Sequence, residues 1–225
     1  MRSLRNADRP QGIQWRFDER DSRECVEVRT ELEPLACGHS EWDSPLAAPD
    51  GKFLLYRISD PGTGSHDLWA MSLDDRKTFP VVQTKASDRE AQFSPDGKWI
   101  AYQSDETGQF EIYIQPFPEG RKYGPISTNG GGQVRWRRDG KQLELFYIGL
   151  DSRLMAVPIR VVSNGQAVEA GTPVALFSTS IVGGIGQNAT VWEYSVSADG
   201  QQFLINSESE VTSPITVILN WKAKP

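Results

Sequence analysis

Cysteine and histidine are both scarce in this chain of 225 residues, which has two of each. Cys25 and Cys37 are too few for a disulfide framework. Together with His39 they make a weak zinc set, because structural zinc normally takes four ligands at tight spacing. We therefore predict neither a metal site nor a cofactor.

A basic excess and long apolar runs are also missing. The formal net charge is −6, whereas nucleic-acid binding needs clustered Lys and Arg that displace counterions from phosphates. No stretch approaches the ~18 consecutive apolar residues of a membrane-spanning helix, and residues 1–10 lack the apolar segment of a signal peptide. We therefore expect no nucleic-acid partner and no membrane insertion. The default compartment is the cytoplasm, or an extracytoplasmic one such as the periplasm if the chain belongs to a longer sensor.

The motifs of the common catalytic sites are absent as well. There is no Gly-x-Ser-x-Gly turn for a serine nucleophile, and His66, beside Gly64 and Ser65, is interpreted as part of a polar loop. There is no Asp-x-Asp-x-Asp-Gly calcium loop. Carboxylate pairs such as Asp74-Asp75 lie in predicted turns, where solvated charge is the expectation. We predict no catalytic residue and expect that the chain is not an enzyme.

What the sequence does contain is a repeat. Asp-Gly pairs followed by apolar runs recur at Asp50, Asp96, Asp139 and Asp199, at intervals of 46, 43 and 60 residues. These intervals lie in and just above the roughly 40 to 50 residue period of propeller blades. The repeat predicts an all-β fold, a β-propeller of about four four-stranded antiparallel blades that is partial or open.

Each repeat also predicts the positions of its strands. Ser94-Pro95-Asp96-Gly97 suits a type I turn, followed by strands at 99–102, 110–117 and 123–128, the last tolerating Pro125 as an outer strand. The near-continuous apolar runs indicate sheets buried on both faces. The other repeats predict strands at 52–58, 67–73, 78–84, 142–148, 153–160, 174–178, 192–197, 202–206 and 215–221.

The blades are placed at residues 41–84, 85–130, 131–190 and 191–222, and residues 1–40 fit the repeat poorly. This first segment either supplies an edge strand at 24–30 that pairs with 201–221, or is disordered. The extra length of the third interval is assigned to a mobile loop at 163–165 and 183–187. Three residues before each Asp, one side chain is predicted to face the same way in every blade: Ala47, Phe93, Trp136 and Val196.

Residues 93–102, Phe-Ser-Pro-Asp-Gly-Lys-Trp-Ile-Ala-Tyr, followed by Glu111-Ile112-Tyr113, resemble the blade repeat of TolB-type propellers. More narrowly, residues 126–131, 135–140 and 214–221 resemble the C-terminal propeller of certain bacterial serine/threonine protein kinases. That resemblance implies a sensor or interaction role, with catalysis in a separate kinase domain. The kinase motifs themselves are absent from this chain, and Ala47, Gln201 and a lengthened strand at 143–147 depart from the repeat pattern.

The basic cluster of the chain is Arg135, Arg137 and Arg138, with Lys141. If Trp136 faces into its blade, Arg135 and Arg137 share the opposite direction and form a surface patch. Such a patch suits an acidic peptide or a phosphorylated segment. The alternative is a charged rim that keeps the ring soluble.

The sequence therefore predicts a non-catalytic propeller that binds a protein, a peptide or a small ligand, or acts as a sensor. One alternative is the C-terminal regulatory fragment of a serine/threonine kinase. Others are the propeller cap of a prolyl oligopeptidase-type peptidase and a degenerate copy without a ligand. An open arc would leave apolar faces bare on its end blades, so self-association is also expected.

Overall fold

The computed structural model describes residues 43–179, 181 and 193–206. Its strands form four antiparallel sheets that follow one another along the chain, which confirms the predicted all-β, open or partial propeller. Blade 1 contains β1 (Asp43–Ala47), β2 (Phe53–Ser59), β3 (His66–Ser72) and β4 (Thr78–Val82). Blade 2 contains β5 (Asp88–Phe93), β6 (Trp99–Ser104) and β7 (Glu111–Pro116). Blade 3 contains β8 (Gly131–Trp136), β9 (Leu143–Gly149), β10 (Arg153–Val162), β11 (Ala167–Ala170) and β12 (Val174–Ser178), and blade 4 contains β13 (Tyr194–Val196) and β14 (Phe203–Ile205).

The Asp-Gly corners have the same geometry in all four blades. Oδ1 of Asp50, Asp96, Asp139 and Asp199 accepts a hydrogen bond from the backbone N–H two residues later, at 3.0, 3.2, 3.0 and 3.1 Å. The glycine after each aspartate has a φ between 69° and 71°, a conformation that glycine adopts without steric cost. The repeated pair therefore closes the hairpin between the first two strands of each sheet.

Ser94 adds a buried hydrogen bond to the corner of blade 2. Its hydroxyl donates to Asp96 Oδ1 at 2.6 Å and accepts from the Trp99 backbone N–H at 3.0 Å. We expect Ser94→Ala to lower the free energy of unfolding by about 1 to 2 kcal/mol, because the buried Trp99 N–H loses its acceptor. Ser197 makes the same two bonds in the exposed corner of blade 4.

Ser197→Ala is therefore the matched control for Ser94→Ala, and should cost less than half as much because water can replace its bonds. Urea denaturation at equilibrium measures both. An equal loss in the two variants would contradict the importance of burial at the blade 2 corner.

Hydrophobic layers fill the spaces between successive blades, and one side chain of each first strand enters the layer on the side of the preceding blade. Phe93, Trp136 and Val196 occupy this position and are 6%, 3% and 3% exposed. Ala47, the fourth side chain predicted to face this way, holds the equivalent place opposite Leu54 but is exposed, because blade 1 has no preceding blade among the described residues. Both faces of β6 are buried, as the continuous apolar run predicts.

The outer strand predicted at 123–128 in blade 2 is reduced to a single bridge. Tyr123 pairs with Ile114, and the Ile126 N–H then donates to the Ile112 carbonyl at 2.7 Å. A full ladder cannot follow because Pro125 has no N–H to donate and Gly124 has a φ of 137°, outside the extended region. Blade 2 is consequently a three-stranded sheet.

The predicted mobile loop at 163–165 is instead a tight turn. β10 runs beyond its expected end at residue 160, the 3₁₀ turn Ser163–Gly165 reverses the chain, and β11 pairs with residues 159–162. β12 pairs with residues 153–156 of the same strand. Two short strands therefore share the outer edge of blade 3.

Several predicted segments lie outside the described residues. They are the segment at residues 1–40 with its edge strand at 24–30, the loop at 183–187 and the last strand at 215–221. Cys25, Cys37 and His39 belong to the same part of the chain. The four blade boundaries stay predictions.

Candidate binding site at the axial strands

The first strands of blades 2, 3 and 4 lie next to one another and are termed the axial strands here: β5, β8 and β13. The Trp136 indole N–H of β8 donates to the Gln92 carbonyl of β5 at 3.1 Å. On its other side, Gln133 Oε1 accepts from the Glu193 backbone N–H, just before β13, at 3.0 Å. These hydrogen bonds join the three sheets at one edge.

A bulge in each of two axial strands turns a polar side chain out of the regular alternation. Glu90 in β5 and Gln133 in β8 have φ angles of 54° and 56°, and the strand register shifts at both places. Each lies six residues before its corner aspartate. Bulges of this kind re-aim a side chain, and non-glycine residues in this strained region concentrate at functional sites.

A cleft of about 100 Å³, termed the axial cleft here, opens across the ends of the axial strands. Three successive blades each contribute the same two positions of their first strand, and a further arginine closes the rim. The lining residues are Gln92, Phe93, Arg135, Trp136, Arg138, Ser195 and Val196. The cleft is therefore a product of the repeat, with one polar and one apolar or aromatic residue from each blade.

Arg135 and Arg138 supply the positive charge of the cleft. The Arg135 guanidinium lies 5.5 Å from the centre of the Tyr194 ring and donates to the Val134 carbonyl at 3.2 Å. Burial lowers the pKa of Arg135 to about 10, so it stays charged at neutral pH. Arg138 is exposed and donates to the Val196 carbonyl at 3.1 Å.

Arg137, the third arginine predicted for the patch, does not line the cleft. Its guanidinium binds Asp139 at 2.7 Å and Glu144 at 3.4 Å. The hydrogen bond that Arg137 donates to Asp139 raises the pKa of Arg137. The structure therefore brings together two of the three predicted arginines, and Arg137 supports the corner of blade 3.

Glu90 lies close enough to the cleft to interact with Arg135. Burial raises the pKa of Glu90 to about 7, although the charges of Arg135, Arg57 and Arg89 oppose that shift. Its Oε2 atom is buried and accepts no hydrogen bond from the described residues. This carboxyl group therefore changes its charge near neutral pH.

A contact between His66 and Ser87 was not expected from the sequence. The His66 Nδ1 and Ser87 Oγ atoms are 3.0 Å apart, but Ser87 is only 6% exposed and its Oγ also accepts a hydrogen bond from Arg89 at 2.8 Å. The Arg89 guanidinium in turn lies 4.6 Å from the centre of the Phe110 ring. These contacts hold Arg89 beside Glu90.

Within the described ranges, no three His, Cys, Asp or Glu residues form a group that could hold a metal ion.

Glu90, Gln92 and Ser195 were not predicted as site residues. Their signal is positional, because aligning blades 2, 3 and 4 on the corner aspartate places polar residues six and four positions before it in each blade. Clustered charge in the sequence indicated only the arginines of blade 3.

The chain matches no protein-family model. Its fold is similar to that of TolB from Acinetobacter baumannii, with a TM-score of 0.54 and 22% identity over 79% of this chain and 40% of that one. The chain has the β-propeller fold of TolB. At this identity the likeness concerns the fold alone, and it covers well under half of the TolB chain.

Two further similarities are weaker than this TolB match. A protein assigned as TolB from Agrobacterium tumefaciens is 19% identical over 60% of this chain and 49% of that one, with a TM-score of 0.42. The tricorn protease is 11% identical over 82% of this chain and 21% of that one, also with a TM-score of 0.42. Neither score establishes a shared fold.

The described part of the chain contains no helix long and apolar enough to cross a membrane.

Proposed function

We propose that this chain is a non-catalytic binding module and that the axial cleft receives one acidic side chain of a protein or peptide partner. The observation that carries the proposal is the cleft itself, to which three blades contribute equivalent residues and which Arg135 and Arg138 both line. Its volume of about 100 Å³ equals roughly three waters. That is far below the ~300 to 1,000 Å³ of pockets for drug-sized ligands.

Guanidinium groups favour a carboxylate or a phosphate as the bound group. Arginine presents a planar fork of N–H donors that matches either anion, and such charge-assisted bonds are about twice as strong as neutral ones. Phe93 and Trp136 supply an apolar wall for the stem of the side chain. An extended acidic segment, or a phosphorylated one, is therefore the proposed partner.

Arg138→Glu should weaken binding of an acidic peptide about tenfold or more, because it replaces an attractive charge at the rim by a repulsive one. The probe is a capped Gly-Glu-Gly-Glu-Gly peptide that carries tetramethylrhodamine, followed by fluorescence anisotropy at neutral pH. The same peptide with glutamine replacing glutamate should not bind. A phosphoserine version tests whether phosphate is preferred.

Arg121→Glu is the matched control, because Arg121 is exposed and outside the cleft. The substitution changes the net charge by the same amount and should leave the dissociation constant within about twofold. Equal losses in the two variants would mean that the peptide responds to total charge only. No binding by the wild-type chain would refute the proposal.

The narrower role, as a sensor part of a serine/threonine kinase, is supported only by the motif resemblance at residues 126–131, 135–140 and 214–221. A kinase reading frame directly upstream of this gene would favour it, whereas an upstream or downstream α/β-hydrolase frame would favour a peptidase cap. Self-association through an end blade is also proposed. Leu204 on β14 of blade 4, which is 78% exposed, supports such a contact.

A further inference from the structure

We propose that Glu90 regulates the axial cleft by competing, when ionised, with the carboxylate of a ligand for Arg135. The inference rests on the proposed binding of an acidic segment in that cleft. It adds a control by pH, a property that the lining residues alone do not have. Arg135 links Glu90 to the ligand. It lines the cleft, and its charge affects the pKa of Glu90 more than the charge of any other residue does.

The position of Glu90 follows from the bulge in β5. Gln133 occupies the equivalent bulge of β8 and uses its side-chain oxygen to accept the Glu193 N–H at 3.0 Å. In blade 2 the same place holds a carboxyl group, and its Oε2 atom accepts no hydrogen bond from the described residues. Gln133 shows that a neutral amide fits this kind of bulge, so the bulge does not account for an ionisable group at this place.

The surroundings of Glu90 include charged groups from three strands. Arg57 of β2, Arg89 of β5 and Arg135 of β8 favour its ionised form, and burial opposes it more strongly. Tyr194 of β13 also faces it, and burial raises the pKa of that hydroxyl, so it carries no charge at neutral pH. With a pKa of about 7, Glu90 is largely protonated one unit below neutrality and largely ionised one unit above it.

The sign of the effect follows from linkage. An anion that binds beside Arg135 disfavours the negative charge on Glu90, so binding raises the pKa of Glu90 and takes up a proton. A ligand that raises this pKa by about one unit binds about tenfold more tightly to the protonated form. Affinity should therefore rise as the pH falls through about 7, and the glutamates of the ligand, with pKa values near ~4.3, stay ionised throughout.

The test measures binding of the capped Gly-Glu-Gly-Glu-Gly peptide at about pH 6 and about pH 8. The wild-type chain should bind about fivefold more tightly at the lower pH, because Glu90 is only partly converted between its two forms at these two pH values. Glu90→Gln should bind equally at both, with the affinity that the wild type shows at the lower pH. Glu193→Gln, the equivalent substitution in blade 4, should retain the wild-type pH dependence.

A second measurement uses only the wild-type chain and so does not depend on the folding of a variant. Calorimetric titrations at neutral pH, in two buffers with different enthalpies of ionisation, should show uptake of a fraction of a proton on binding. Peptide binding without proton uptake, or with equal affinity at both pH values, would overturn the role of Glu90 and leave the proposed function standing. Absence of binding at both pH values would overturn both the role of Glu90 and the proposed function.

Discussion

Trp99→Ala should lower the free energy of unfolding by about 3 to 5 kcal/mol. The Trp99 side chain is 1% exposed and lies in the hydrophobic layer between blades 2 and 3, where its ring centre is 6.1 Å from that of Tyr123. Truncation removes apolar burial and leaves a cavity that the paired strands on either side cannot collapse to fill. Chemical denaturation at equilibrium, followed by circular dichroism, measures the loss.

Leu150→Ala is the control for Trp99→Ala, because Leu150 is 54% exposed and lies outside the proposed self-association contact. Truncating an exposed apolar side chain should change the free energy of unfolding by no more than about 0.5 kcal/mol. A Trp99 variant as stable as the Leu150 variant would contradict the assignment of the layer between blades 2 and 3 as the core.

Glu111→Ala should lower the free energy of unfolding by about 2 to 4 kcal/mol, because it leaves two buried donors, the Gly130 N–H and the Ser127 hydroxyl, without an acceptor. The Glu111 carboxylate is 5% exposed and accepts hydrogen bonds from the Gly130 N–H at 2.8 Å, from Gln109 Nε2 at 2.7 Å and from the Ser127 hydroxyl. The Ser127 oxygen in turn accepts the Ile112 N–H at 2.9 Å. One carboxylate therefore fixes the connection from blade 2 to blade 3, where the outer strand is missing.

Glu119→Ala provides the matched comparison, since Glu119 is exposed in a nearby loop. Its removal should leave the urea midpoint almost unchanged. Glu111→Gln should give an intermediate loss because the amide retains one acceptor oxygen. If Glu111→Ala and Glu119→Ala unfold at the same urea concentration, the hydrogen bonds at Glu111 do not hold the connection.

The regular parts of the fold could be predicted because they follow from local chemistry. Residues within a few positions of each other determine the Asp-Gly corners and the apolar strand β6. They also determine the inward direction of Phe93, Trp136 and Val196. The errors concern where a strand ends. The sequence pattern allows Pro125 in an outer strand but does not show that the φ of Gly124 leaves the extended region, and it does not show that β10 continues to Val162 and pairs with β11.

The candidate site was predicted only in part because its residues come together from distant parts of the chain. The sequence places Arg135, Arg137 and Arg138 on one segment but does not show that Asp139 and Glu144 bind Arg137. It also gives no indication that Gln92 and Ser195, which are 103 positions apart, line one cleft. The pKa of Glu90 depends on burial between blades and on arginines from three strands, which no local pattern encodes.

The side chain three residues before each corner aspartate gives the row of blades a direction. Phe93, Trp136 and Val196 each insert toward the blade on the N-terminal side, so one face of a blade carries a projecting side chain and the other face receives one. Ala47 is the equivalent residue of blade 1, and its methyl group is too short to insert into a neighbouring sheet. A sheet that docked before blade 1 would therefore need a different means of attachment.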